Sequence, residues 1–127
     1  MKILVLIIML FLHIVDDYYL QGPLAKFKQK AWWEENYPDE LYRNDYIISL
    51  ITHAFSWTFV VMIPILVKMI VFADYSYYNR YVFCFILNWV IHSVIDHLKA
   101  NVKIINLVTD QIAHVIQIIF TWAMFFF

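Results

Sequence analysis

Histidine and aspartate stand four residues apart three times in this chain. The pairs are His13 with Asp17, His92 with Asp96 and, in reverse order, Asp110 with His114, each inside a stretch apolar enough to cross a bilayer. On an α-helix that spacing puts both side chains on one face, about one turn apart, where they suit a shared metal ion or proton. Ionisable groups buried in lipid are costly, so their presence points to use. His53 adds a fourth imidazole between the first and second pairs.

The donor set defines the chemistry. His13, Asp17, His53, His92, Asp96, Asp110 and His114 are the candidate ligands, and they offer nitrogen and oxygen but no thiolate. Such a set suits a divalent transition metal, Zn first, with Mn or Fe next, over Cu(I), Mg or Ca. Seven candidates exceed a closed tetrahedral site, so they fit one ion with spare groups or two ions with an open position for water or substrate. Gln21, Lys99 and Gln111 are placed to orient ligands or substrate. In a hydrolytic site one of Asp17, Asp96 or Asp110 would serve as general base, and Lys99 would stabilise developing negative charge. Two plainer readings stand beside this one: a metal-free proton or ion relay, and polar glue between helices. Asp110 alone also fits a helix N-cap. Asp16 and His97, the neighbours of two candidate ligands, are expected in supporting or interfacial roles.

Those residues need elements to hold them. With 64% of its 127 residues hydrophobic, one glycine and 15% charged, the chain carries more apolar surface than a soluble domain of this size can hide. Four stretches meet the length of about 20 residues that a membrane span needs, at about 1–20, 46–73, 81–98 and 106–126. The first stops at Gln21-Gly22-Pro23, where glycine and proline end a helix, and Pro64 is expected to kink the second. The fourth begins somewhere between Ile104 and Asp110, with Thr109 or Asp110 as candidate caps. Lys2 followed by an apolar run resembles a signal peptide, but His13, Asp16 and Asp17 follow where a small-x-small cleavage site would stand. The expectation is an all-α integral membrane four-helix bundle in one domain, 1–127.

Residues 22–45 are too charged to cross lipid. Lys26, Lys28 and Lys30 beside Phe27, Trp32 and Trp33 read as a short interfacial segment, with the stretch 24–33 as a solvated loop or a substrate lid. Lys26, Lys28, Lys30, Arg43, Lys99 and Lys103 fall on one side of four spans, against Lys2, Lys68 and Arg80 on the other. The positive-inside rule then predicts cytoplasmic first and third connections and both termini outside. At 1.5 Å per helical residue, His13, His53 and His92 lie roughly 10 to 12 Å from that cytoplasmic end, with Asp110 and His114 early in the span that starts there. Within each span the polar positions also share a face, as with Asn88, His92, Asp96 and Lys99, or Asp110, His114, Gln117 and Thr121.

The remaining features exclude or leave open. A net charge of −1 without a long basic run gives no reason to expect nucleic acid. Cys84 is alone, which excludes an internal disulfide, and its apolar setting suits an inert packing thiol. No small-x-x-x-small motif specifies a homodimer, although the aromatic outer faces would allow one.

The strings His13-x-x-x-Asp17-x-x-x-Gln21, His92-x-x-x-Asp96-x-x-Lys99 and Asp110-Gln111-x-x-His114, with His53 between them, resemble the signature of the domain of unknown function 3307 family. The likeness runs over nearly the whole chain. It implies a multi-pass protein of the bacterial inner membrane, from bacteria or phage, and it brings no established reaction. Asp16 doubles the first aspartate and His97 follows the second. From the residues, the leading expectation is a metal-dependent hydrolase acting at the cytoplasmic leaflet on a lipid-linked or membrane-proximal substrate. A proton or metal-ion transporter, or a non-enzymatic membrane effector, are the alternatives.

Overall fold

Apolar runs with polar stripes fold here into helices alone. The computed structural model covers Met1–Phe127 and contains six α-helices and no strand. They are α1 Lys2–Val15, α2 Leu24–Phe27, α3 Lys30–Asn36, α4 Asp45–Val71, α5 Tyr78–His97 and α6 Leu107–Phe126. A π-turn extends α1 over Asp16–Leu20, and a second extends α5 over Leu98–Val102. Four stretches are long and apolar enough to cross a membrane: Lys2–Leu20, Glu40–Val71, Tyr75–Val102 and Leu107–Phe126. Packing closes them into a ring in which α4 touches α1 and α5, and α6 touches the same two. This is the expected all-α four-helix bundle.

Burial is inverted relative to a water-soluble protein. Of 26 buried residues, 14 are polar or charged, whereas soluble interiors are dominated by aliphatic side chains. Phe11 and Ile14 on α1, Phe59 on α4, Ile86 and Val90 on α5, and Ile112 and Ile116 on α6 face outward. Such an exterior calls for lipid as its solvent. Inside, the bundle has two halves. Met9, Trp57, Val61, Met62, Ile65, Met69, Cys84 and Ile118 fill an apolar half. The histidines and aspartates fill the other.

Local chemistry sets the helix ends. Gly22 takes φ +47°, a left-handed conformation that suits glycine, and the chain turns there. α4 runs on through Pro64 without ending. α6 starts at Leu107 because Asn106 Oδ1 accepts from the Thr109 backbone N–H at 2.9 Å. The cap is thus Asn106 rather than Thr109 or Asp110, and Asp110 is free to turn inward. Asn106→Ala should cost about 1 kcal/mol, seen as a melting midpoint lowered by roughly 4 °C in a detergent thermal melt, with Asn106→Asp close to wild type.

Residues 22–45 form α2, α3 and a 3-10 turn at Glu40–Tyr42. Phe27 packs on Trp32 and Trp33 with ring centres 4.7 and 5.7 Å apart, and Tyr37 joins Trp33 to Tyr42. Asn101 ties this segment down: its Oδ1 accepts from the Lys30 backbone N–H at 2.6 Å and its Nδ2 donates to the Lys28 carbonyl at 3.0 Å.

Candidate metal centre

Three imidazoles and three carboxylates meet at the core of the polar half. His53 Nε2, from α4, lies 3.4 Å from Asp17 Oδ1, 3.4 Å from Asp96 Oδ2 and 3.3 Å from His92 Nε2. His114 Nε2, from α6, lies 3.5 Å from Asp96 Oδ1 and 3.5 Å from Asp110 Oδ1. Asp96 therefore stands between the two sets, one oxygen toward His53 and His92 and the other toward His114. Three groups have ligand atoms within 4.8 Å of one another: Asp17 with His53 and His92, His92 with Asp96 and His114, and Asp17 with Asp110 and His114. These buried clusters could hold a metal ion.

The spacing itself is informative. Good N–H···O hydrogen bonds run to about 3.2 Å, so contacts of 3.4 and 3.5 Å are too long. Ligands at about 2.1 Å from a tetrahedral ion stand about 3.4 Å from each other, by the geometry of the tetrahedron. Asp17 Oδ1, Asp96 Oδ1, Asp110 Oδ1 and both nitrogens of His114 are buried without a hydrogen-bond partner. Orphaned buried acceptors of this kind are expensive. Charge points the same way, since four buried carboxylates, at Asp16, Asp17, Asp96 and Asp110, face only two ammonium groups, at Lys28 and Lys99.

Around the centre, neighbouring side chains crowd several of these ligands. The π-turn at Asp16–Leu20 widens the helix locally, so that consecutive Asp16 and Asp17 both face inward, with exposures of 0% and 6%. Asp16 accepts from Ser56 Oγ at 2.9 Å and lies 3.8 Å from His53 Nδ1, behind the imidazole whose Nε2 faces the centre. At 3.8 Å the two are not hydrogen-bonded, so Asp16 acts on this imidazole through its charge, as carboxylates behind metal-ligating histidines do. Asp16→Asn should therefore weaken divalent-ion affinity by about 10- to 100-fold while leaving the fold intact, measurable by competition titration with a chromogenic chelator. His92 is sandwiched between Trp57 and His114 at ring-centre distances of 4.2 and 4.1 Å.

Of the seven residues expected to ligate, six enter the three groups, and His13 stands outside them. Trp57 Nε1 donates to His13 Nδ1 at 2.8 Å. An indole only donates, so the proton of a neutral His13 sits on Nε2, which faces Gln111 Oε1 at 3.1 Å. Gln111 Nε2 then donates to Asp17 Oδ2 at 2.9 Å and to Asp110 Oδ2 at 3.1 Å. His13 and Gln111 thus hold two carboxylates in place. Gln21 Nε2 bonds the Asp17 carbonyl. Lys99 Nζ bonds Asp110 Oδ2 at 2.6 Å. His97 is half-buried away from the centre, stacked on Tyr46 at 6.2 Å.

Two important partners escaped the sequence reading. Lys28, expected in an interfacial segment, is 6% exposed and its Nζ donates to Asp96 Oδ2 at 2.6 Å. Nothing local marks it apart from Lys26 and Lys30. Trp57 had a usable signal, because it follows His53 by four residues and so shares its inward face.

The way in is narrow. A cavity of about 130 Å³ reaches the centre between α1 and α6, lined by Asp17, Gln21, Lys28, Lys99 and Gln111 among others. Lys28 brings the segment 24–33 to the cavity wall, and Asn101 holds that segment down.

The fold and centre define a four-helix protein with four candidate membrane spans and a buried His/Asp cluster able to hold metal. No family model, curated protein or solved structure matches the chain.

Proposed function

We propose that this chain is a metal-dependent hydrolase of the membrane interface, with Asp17, His53, His92, Asp96, Asp110 and His114 holding one or two divalent ions, Zn first. The observation that carries the metal reading is a cluster of buried donor atoms 3.4 to 3.5 Å apart, near the edge length of a coordination tetrahedron, in which Asp17 Oδ1, Asp96 Oδ1, Asp110 Oδ1 and His114 Nε2 have no partner. A divalent ion would supply Lewis acidity and acidify water.

The chain's own groups complete a hydrolysis. Asp17 borders the cavity; with the ion held by the other five residues, its Oδ1 suits a general base taking one proton from water. The water oxygen adds to the acyl carbon or phosphorus, the bond to the leaving oxygen or nitrogen breaks, and the proton passes to that leaving group. Lys99, a quarter exposed at the cavity, stabilises the negative charge that develops. Asp96 lies deeper, with Oδ2 committed to Lys28, and acts better as ligand than as base.

The ordered motifs support kinship with the domain of unknown function 3307 family. Basic connections support a cytoplasmic site and termini on the far side of a bacterial inner membrane. A transporter is less well served: beyond Asn88, Gln117 and Thr121, which bond among themselves, the path ends in Ile65, Met69 and Phe125.

The test is a panel of lipid-linked ester and phosphoester hydrolysis assays on metal-loaded protein, with His92→Ala as control. Turnover that requires both metal and His92 supports the proposal. Folded, metal-loaded protein inert across the panel, yet passing protons or divalent ions in proteoliposomes, would transfer the site to transport.

A further inference from the structure

The polar cavity does not end in water alone. It shares Tyr18 and Gln111 with a larger groove of about 550 Å³, which runs along the outside of α1 and α6 between Leu10, Ile14 and Val115. Five of the seven residues lining the groove are hydrophobic, whereas only two of the seven around the cavity are. The lining thus passes from mostly polar to mostly apolar at this joint, with His13 and Gln111 as the polar residues of the groove. On the inner side stand two lysines, two glutamines and the free Oδ1 of buried Asp17; on the outer side stands a trough open to the lipid-facing surface. Tyr18 and Tyr19, 56% and 78% exposed, flank the joint as interfacial aromatics do.

We infer that this joined cavity and groove is a lateral binding site for a bilayer lipid with an anionic, phosphate-bearing headgroup, and that such lipids are the substrate class of the centre. The inference rests on the hydrolase reading above. Charge complementarity chooses the headgroup. Lys28 and Lys99 are the cationic side chains at the cavity, and each now neutralises a carboxylate, Asp96 or Asp110, that also belongs to a ligand group. Two divalent ions would balance the four carboxylates and leave both ammonium groups for an anion. Gln21 and Gln111 add amide donors, and a phosphate offers several acceptor oxygens to such a set. Shape chooses the lipid, because a free anion leaves the groove empty whereas an acyl or prenyl chain fills it.

The test uses the full-length protein in detergent, loaded with zinc and mixed with equal amounts of phosphatidylglycerol and phosphatidylcholine, with bound lipid read by native mass spectrometry and metal content measured on the same samples. One phosphatidylglycerol should be retained at least tenfold over phosphatidylcholine. Val115→Trp and, on the opposite wall, Ile14→Trp should each cut that retention at least tenfold with metal content unchanged, while Val90→Trp, on an outward face of α5, should not. Lys99→Gln should bring phosphatidylglycerol down to the level of phosphatidylcholine. Equal retention of the two lipids, or full retention in both groove variants, overturns the inference. Metal bound without selective lipid would sink the lipid site and spare the centre; selective lipid without metal would sink the centre and, with it, these lipids as its substrates.

Discussion

His114→Ala should lower zinc affinity at least a hundredfold, about 2.7 kcal/mol. Its Nε2 belongs to two of the three ligand groups and lies 3.5 Å from both Asp96 Oδ1 and Asp110 Oδ1. Alanine there removes a nitrogen from each group and leaves the two carboxylates facing each other without an intervening donor. The ring is also fully buried and stacked on His92, so a helical circular dichroism spectrum must accompany the metal titration. His114→Gln fills most of the volume and separates lost coordination from lost packing. If either variant, still folded, binds zinc as tightly as the wild type, the centre is not a metal site.

Lys28→Met should destabilise the metal-free protein by about 3 to 5 kcal/mol, the range for removing one partner of a buried ion pair. The pair is tight and buried, with Nζ to Oδ2 at 2.6 Å and side-chain exposures of 8% and 1%. Methionine keeps the length of the chain but leaves Asp96 charged, buried and without its ammonium partner, among imidazoles and other carboxylates. A divalent ion on Asp96 would match that charge, so zinc should recover much of the lost stability. Thermal melts in detergent, with and without zinc, measure both effects. A metal-free melting point equal to that of the wild type would show that Lys28 does not balance Asp96. A loss that zinc leaves unrepaired would separate Asp96 from the ligand set.

Much of the site was legible because helical geometry is local. The four-residue spacing of His13/Asp17, His92/Asp96 and Asp110/His114 fixes a shared face without knowledge of neighbours. Equal distance from one membrane side then fixes a common depth. Both inferences hold for Asp17, His53, His92, Asp96, Asp110 and His114, which the structure brings together. His13 shares that inward face, but Trp57 and Gln111 occupy its two nitrogens. Those partners come from other helices.

The inward turn of Asp16 depends on a π-turn, and no residue pattern in Asp16-Asp17-Tyr18-Tyr19-Leu20 announces one. The burial of Lys28 depends on the path of α2 over the end of the bundle, which Asn101 fixes from 71 residues further on through the Lys30 backbone N–H. Hydropathy described 22–45 as interfacial, and a lysine there would ordinarily remain in water.

By itself the sequence determined four apolar helices, the stripe each turns inward and the membrane level at which imidazoles and carboxylates gather, because hydropathy and the 3.6-residue period act within each segment. Tertiary structure alone decided which nitrogens remain free, that Asp96 stands between two ligand sets, that Lys28 pairs with Asp96, and that the cavity meets an apolar groove between α1 and α6. The physical reason is that hydrogen bonds and ion pairs are settled over a few ångströms between segments distant in the chain, and neither composition nor periodicity carries information at that range.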